Sequence, residues 1–180
     1  PIGSTTTYLI NAEGQTLQTW ASSYRPGHSV YLRENGNLLH TGSVSSSVFG
    51  AGGAGGIIEE IASDGSIVWS YQYANDQVQQ HHDIEELPNG NILMIAWEYK
   101  SQAEAIEAGR SANLLKDGEL WADHIIEVDP STKQIVWEWH VWDHLVQDTD
   151  PSKANYGVVA EHPEKINLNY TSRQAAADWN

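Results

Sequence analysis

His28-Ser-Val-Tyr-Leu-Arg-Glu-Asn-Gly-Asn-Leu-Leu-His-Thr-Gly42 aligns without a gap to His82-Asp-Ile-Glu-Glu-Leu-Pro-Asn-Gly-Asn-Ile-Leu-Met-Ile-Ala96. Each stretch has a histidine, six residues, Asn-Gly-Asn and then an apolar run. Asn-Gly between two apolar runs is a hairpin signal, and the spacing predicts a tight type I′ turn in which both central residues take positive φ. A second hairpin type recurs three times: Tyr8 to Trp20 around Glu13-Gly14, Ile57 to Tyr71 around Asp64-Gly65, and His124 to Trp139 around Asp129-Pro130-Ser131-Thr132, one residue longer. Superposed on the turn, Leu17 matches Val68 and Val136, and Trp20 matches Tyr71 and Trp139.

Two hairpins per repeat make a four-stranded unit. The repeats read as residues 5–50, 55–100 and 119–180, the last incomplete, and the histidines at 28 and 82 lie one period apart. Four-stranded antiparallel units at such a period are the signature of propeller blades around a central channel. The expected fold is all-β: a single domain over 1–180 forming a partial β-propeller of about three blades. A β-sandwich of unrelated hairpins is the competing architecture. Three blades do not close a ring, so the chain is expected to be a fragment, or a half completed by a second chain or copy. Short helical insertions interrupt the strands. Ser101 to Gly109 carries a capping box, Ser101 and Glu104, and a terminal glycine, which predicts a short helix. Residues 143–180 read as a long excursion with a small helix near 172–177.

Composition narrows the function. With 24 Asp+Glu against 9 Lys+Arg the formal charge is −15, and the basic residues are scattered, which argues against nucleic acid as a partner. No apolar run is long enough for a membrane span. The absence of cysteine removes disulfides, thiolate zinc sites and cysteine nucleophiles.

His28 and His82 hold the same repeat position at the start of a strand. In a propeller, such positions converge at one mouth of the channel, where imidazoles suit transfer of an anionic group. A strand-capping role is the competing reading for His28. His82 is flanked by His81 and Asp83, which favours chemistry there. His140 and His144 are four apart, but the Trp137-Glu-Trp-His-Val-Trp142 surroundings alternate as a strand, so an aromatic strand ending is expected and no metal ligand set. His40, His124 and His162 read as solvated or capped side chains. Gly50-Ala-Gly-Gly-Ala-Gly55 formally matches a dinucleotide fingerprint, but it leads into a strand and not a helix, so a flexible loop is expected and no nucleotide cofactor. Glu59-Glu60 and Glu85-Glu86 read as solvated surface, since neighbours on a strand face opposite ways.

The segment His81 to Glu98, followed by Asp123 to Asp129 and by Trp137 to Leu145, strongly resembles bacterial aryl-sulfate sulfotransferases. The likeness runs through essentially the whole chain. It implies a six-bladed propeller exported to the periplasm or secreted to the cell surface. The implied activity moves sulfate from phenolic esters to phenols through a sulfated histidine, with no nucleotide donor and no cofactor. The partners it implies are a small aryl sulfate and a phenol. By the same resemblance His82 takes the role of a sulfate-contacting channel histidine, with His81 its neighbour and Arg110 within reach of the mouth. The sulfated nucleophile is expected outside these residues. A non-enzymatic propeller module that binds a glycan or a protein is the reading from another class.

Overall fold

The computed structural model describes residues 3–179. Its strands are β1 (Thr6–Ile10), β2 (Thr16–Ala21), β3 (Arg25–Leu32), β4 (Leu38–Ser43), β5 (Gly56–Ile61), β6 (Ile67–Gln72), β7 (Val78–Glu86), β8 (Ile92–Ser101), β9 (Glu119–Asp129), β10 (Gln134–His140), β11 (Leu145–Val146) and β12 (Ile166–Asn167). Among the described residues the fold is all-β apart from one α-helix, α1 (Gln102–Ala108), and short 3-10 turns. Strands β3-β4-β5-β6 and β7-β8-β9-β10 form two four-stranded sheets in chain order, while β1-β2 and the parallel pair β11-β12 stand as two-stranded sheets. No sheet closes on itself among the described residues.

The sheets group the hairpins differently from the 5–50 and 55–100 repeats. Each Asn-Gly hairpin joins the hairpin that follows it, not the one that precedes it: β4 pairs with β5 from Leu38↔Ile61 to Ser43↔Gly56. Side chains explain the choice. Asn37 donates to Glu60 Oε1 at 2.6 Å and Asn35 at 3.5 Å; one repeat later Asn91 and Asn89 donate to Glu127 Oε1 at 2.5 and 3.2 Å. The Asn-Gly-Asn motif thus grips a glutamate from the next hairpin. Glu60 also pairs with Arg33 at 2.6 Å and is buried, as is Glu59, so this pair is not solvated surface.

The turns also depart from type I′. Gly36 N–H donates to Arg33 O and Arg33 N–H to Asn37 O, Gly36 has φ 81°, and Asn35 does not have positive φ. Gly90, Gly14 and Gly65 repeat the pattern. This is a three-residue loop with glycine alone in the left-handed position. In the longer turn after Asp129, Lys133 takes that position with φ 58°.

The contacts divide the chain into two compact units. The first comprises the residues up to Ile95 with Ile126–Trp137, and the second Ala96–Ile125 with the residues from Glu138 onward. In the first, Leu39, Ile58, Ile84, Ile92, Met94, Ile126 and Val128 form a core with Trp69, Tyr71 and Tyr73 packed against it. Trp20, Leu38 and Ile61 seat the β1-β2 hairpin. In the second, Ala105 and Ala108 of α1 pack with Leu120, Val141, Leu145, Leu168 and Trp179. Both halves of the Ser101/Glu104 capping box form, and Gly109 closes the helix with φ 106°. Near 172–177 the helix is a single 3-10 turn, Ala176–Asp178.

Candidate functional site

The first strands of the two Asn-Gly hairpins, β3 and β7, are edge strands of their sheets and meet through their side chains. The partners are repeat mates or nearly so. The rings of His28 and His82 have centroids 5.8 Å apart. Tyr31 Oη donates to Asp83 at 2.7 Å, and Arg33 Nε to Glu86 at 3.0 Å.

His28 owes its position to a break in the ladder. The register of β3 on β4 shifts between Pro26 and Val30, a bulge. Within it, Thr41 Oγ1 accepts the N–H groups of His28 (3.1 Å) and Ser29 (3.2 Å), replacing ladder bonds. Gly27 permits this: a Cβ there would lie 2.2 Å from Thr41 Oγ1. The bulge leaves the His28 side chain exposed.

His82 is held in the left-handed region, φ 51°, which an L side chain adopts only when its surroundings impose it. The imposing element is the glycine-rich loop, which is a built part of the site and not a flexible connector. His82 N–H donates to Gly53 O at 2.8 Å, Ala54 bridges His81, and Gly55 N–H donates to Gln80 O at 3.0 Å. Buried Gln79 donates to Gly55 O at 2.6 Å, and buried Gln80 accepts Gly56 N–H at 3.0 Å. A Cβ on Gly53 would sit 2.3 Å from His82 Cε1, and one on Gly55 would sit 2.1 Å from Gln80 Oε1. The glycines let the loop backbone lie against the imidazole.

Behind the exposed His82 ring is His81, 3% exposed. The rings meet edge to face, with 2.8 Å between the two Nδ1 atoms. One Nδ1 must donate and the other accept. If His81 donates, neutral His82 carries its proton on Nε2 and offers a donor; if His82 donates, its Nε2 is a lone pair. The buried ring thereby selects the chemistry of the exposed one.

At the flank, the hydrogen bond to Asp83, together with burial and the charges of Asp83 and Glu85, pushes the Tyr31 phenol up to about 12. Although burial opposes it, the hydrogen bonds from Tyr31, Ile84 N–H and Ser29 hold Asp83 below the ordinary carboxylate range. An open cleft of about 600 Å³ at the Asn-Gly turns, lined by Arg33, Asn35, Glu86 and Pro88, contains no histidine.

The structure therefore brings His28, His81 and His82 together. Arg110 belongs to the other compact unit. It is buried, with Nη1 bonded to Leu168 O at 2.8 Å and Thr171 O at 3.3 Å, and Nη2 to Arg173 O at 3.0 Å. Burial lowers its pKa. These bonds engage Nη1 and Nη2, while the buried Nε has no hydrogen-bond partner. His40 is also not solvated: it is buried with Nε2 3.0 Å from Glu59 Oε2, which accepts from Ser22 Oγ at 2.6 Å. His162 is exposed beside Glu164 at 3.1 Å, as read.

A cluster missed in the sequence lies in the second unit. Glu98, fully buried His124 and His140 place one ligand atom each within 4.8 Å of one another, a set able to hold a metal ion. They stand on β8, β9 and β10, separated by 26 and 16 residues of chain. No spacing motif reports that. The signal available was only that His124 falls at an inward position of alternating β9; β10, which carries His140, shows no such alternation. His144, the partner of His140 in the four-apart spacing, stacks instead on Trp139 at 5.0 Å.

No helix among the described residues is long and apolar enough to cross a membrane. No curated protein matches the chain significantly. The model of the family described as Arylsulfotransferase (ASST) matches residues 58–180, which takes in His81, His82 and both four-stranded sheets from β5 onward. With more than half its length matched, the chain belongs to the arylsulfotransferase family.

Proposed function

We propose that this chain supplies part of the sulfuryl-binding mouth of an aryl-sulfate sulfotransferase, with His82 as the catalytic donor, His28 beside it and His81 setting its tautomer. The observation that carries the reading is the meeting of two exposed imidazoles from one repeat position, one of them in strained backbone against a buried third. Strain of that kind persists where surrounding structure overdetermines it, and it concentrates at functional sites.

In this reading a histidine nitrogen outside these residues attacks the sulfur of an aryl sulfate. The N–S bond forms as the S–O(aryl) bond breaks, and the phenolate leaves and takes a proton. A phenol oxygen then attacks the same sulfur, loses its proton and releases the imidazole. His82 Nε2–H donates to a non-bridging sulfuryl oxygen in both transfers, where preorganised donors count most. No nucleotide and no cofactor enter.

The same reading takes the two four-stranded sheets as blades of a propeller, with β3 and β7 nearest the axis. The apposition of repeat mates on those edge strands supports it. The remaining blades come from further chain or a second copy. The same proposal includes an address in the periplasm or at the cell surface, as the family resemblance implies.

The test is phenol transfer from a chromogenic aryl sulfate by the full-length gene product, comparing wild type, His82→Ala and His28→Ala. Loss of turnover in His82→Ala with the fold intact is expected. Unchanged turnover removes His82 from the chemistry, and an inactive wild type favours a binding module.

A further inference from the structure

We propose that Glu98, His124 and His140 form a binding site for a transition-metal cation of the zinc class. The three donors come from adjacent strands of one sheet, β8, β9 and β10, so they gather on rigid backbone. Two imidazoles and one carboxylate are the donor set that suits Zn²⁺ with one position left open for water or substrate.

The geometry needs little adjustment. A cation about 2.1 Å from each ligand sets tetrahedral donor separations of about 3.4 Å. Glu98 Oε2 and His140 Nδ1 are already 3.2 Å apart. The His124 ring lies parallel to that of His140, centroids 4.9 Å apart. All three donor atoms fall within 4.8 Å, so closure asks for movements of at most about 1.5 Å.

Two further observations point to a ligand. Glu98 Oε1 is buried with no hydrogen-bond partner, a cost that a cation coordinated through both carboxylate oxygens removes. Meanwhile Nε2 of His140 lies 3.5 Å from Glu138 Oε2, so the nitrogen not used for ligation faces a carboxylate, the outer arrangement that orients metal-bound histidines. Lys100 Nζ, 3.1 Å from Glu98 Oε2, supplies the positive charge in the absence of metal. It also sits 4.9 Å over the Trp142 ring, where it can remain when a cation takes the carboxylate.

The experiment is titration of the full chain with Zn²⁺ alone and with Co²⁺ as a spectroscopic probe. One equivalent bound with a Kd of about 1 µM or tighter is expected, with visible Co²⁺ bands of a tetrahedral site. Glu98→Gln and His140→Ala each weaken binding at least tenfold, whereas His162→Ala leaves it unchanged. Lys100→Met removes the competing ammonium and tightens binding several-fold; a purely structural ion-pair network predicts no such gain. Imidazole nitrogen resonances of His124 and His140 in the unmodified protein must also move with Zn²⁺, a readout independent of whether the variants fold. Absence of saturable binding, binding retained in Glu98→Gln, weaker binding in Lys100→Met, or unmoved resonances each overturns the site.

Discussion

Two imidazole clusters in one chain show how surroundings divide the work of a residue type. In the first unit His28 and His82 are exposed, and backbone irregularities deliver them: a bulge at Gly27 and a left-handed residue braced by Gly53. In the second, His124 and His140 stack in parallel on regular strands, with Glu98 beside them. An exposed ring on distorted backbone gives up packing for access. A buried ring on regular backbone gives up access for packing, and it tolerates burial only with polar company. Substitutions should therefore damage turnover in the first cluster and stability in the second.

The sharpest way to break the contrast is His82→Ala. Turnover should fall by about 10²–10⁴, the range for a lost acid-base or donor group, while the thermal midpoint scarcely moves because the ring is exposed. A large loss of stability there would make His82 structural. Next, His124→Ala removes a fully buried ring and should cost about 2–4 kcal/mol in denaturant unfolding; a near-neutral effect would dissolve the distinction.

Gly53→Ala joins both measures. Its Cβ enters the His82 ring's space and its φ of 92° suits glycine, so about 1–3 kcal/mol of stability should be lost. Turnover should fall with it because the ring must swing away. Retention of full turnover would mean that the loop does not seat His82.

The smallest effect sharpens the boundary of the exposed cluster. Asp83→Asn should bring Tyr31 titration from about 12 down toward the ordinary 10, read from ring-carbon resonances against pH. The signs are opposite for the two partners. The raised phenol contributes stability that is whole below pH 10 and is lost as pH rises through 12. The depressed Asp83 contributes above about pH 4 and its share is lost as pH falls further. A Tyr31 titration unmoved by Asp83→Asn would remove the hydrogen bond as its cause.

Turn chemistry and strand pattern were legible without coordinates. The Asn-Gly and Asp-Gly hairpins, the helix opened by Ser101 and Glu104, and the equivalence of His28 and His82 all rest on residues within a few positions of one another or on direct repetition. Such information is local, and local sterics and capping decide it. The type I′ expectation failed at Asn35 because Asn-Gly also fits a three-residue loop in which only the glycine needs positive φ. The Gly50–Gly55 loop was read by its composition, which says that backbone can come close and not what it comes close to.

What the sequence by itself determined are the strands of the five Asn-Gly, Asp-Gly and related hairpins and the alignment of His28 with His82. Tertiary structure alone decided which hairpins share a sheet, that Gly53 braces His82, that Arg110 bonds the carbonyls of Leu168, Thr171 and Arg173, and that Glu98 meets His124 and His140. The reason is physical. Period and propensity report whether a position faces a core, whereas which edges and faces meet depends on side chains far apart in the chain, as when Asn37 grips Glu60 and Asn91 grips Glu127.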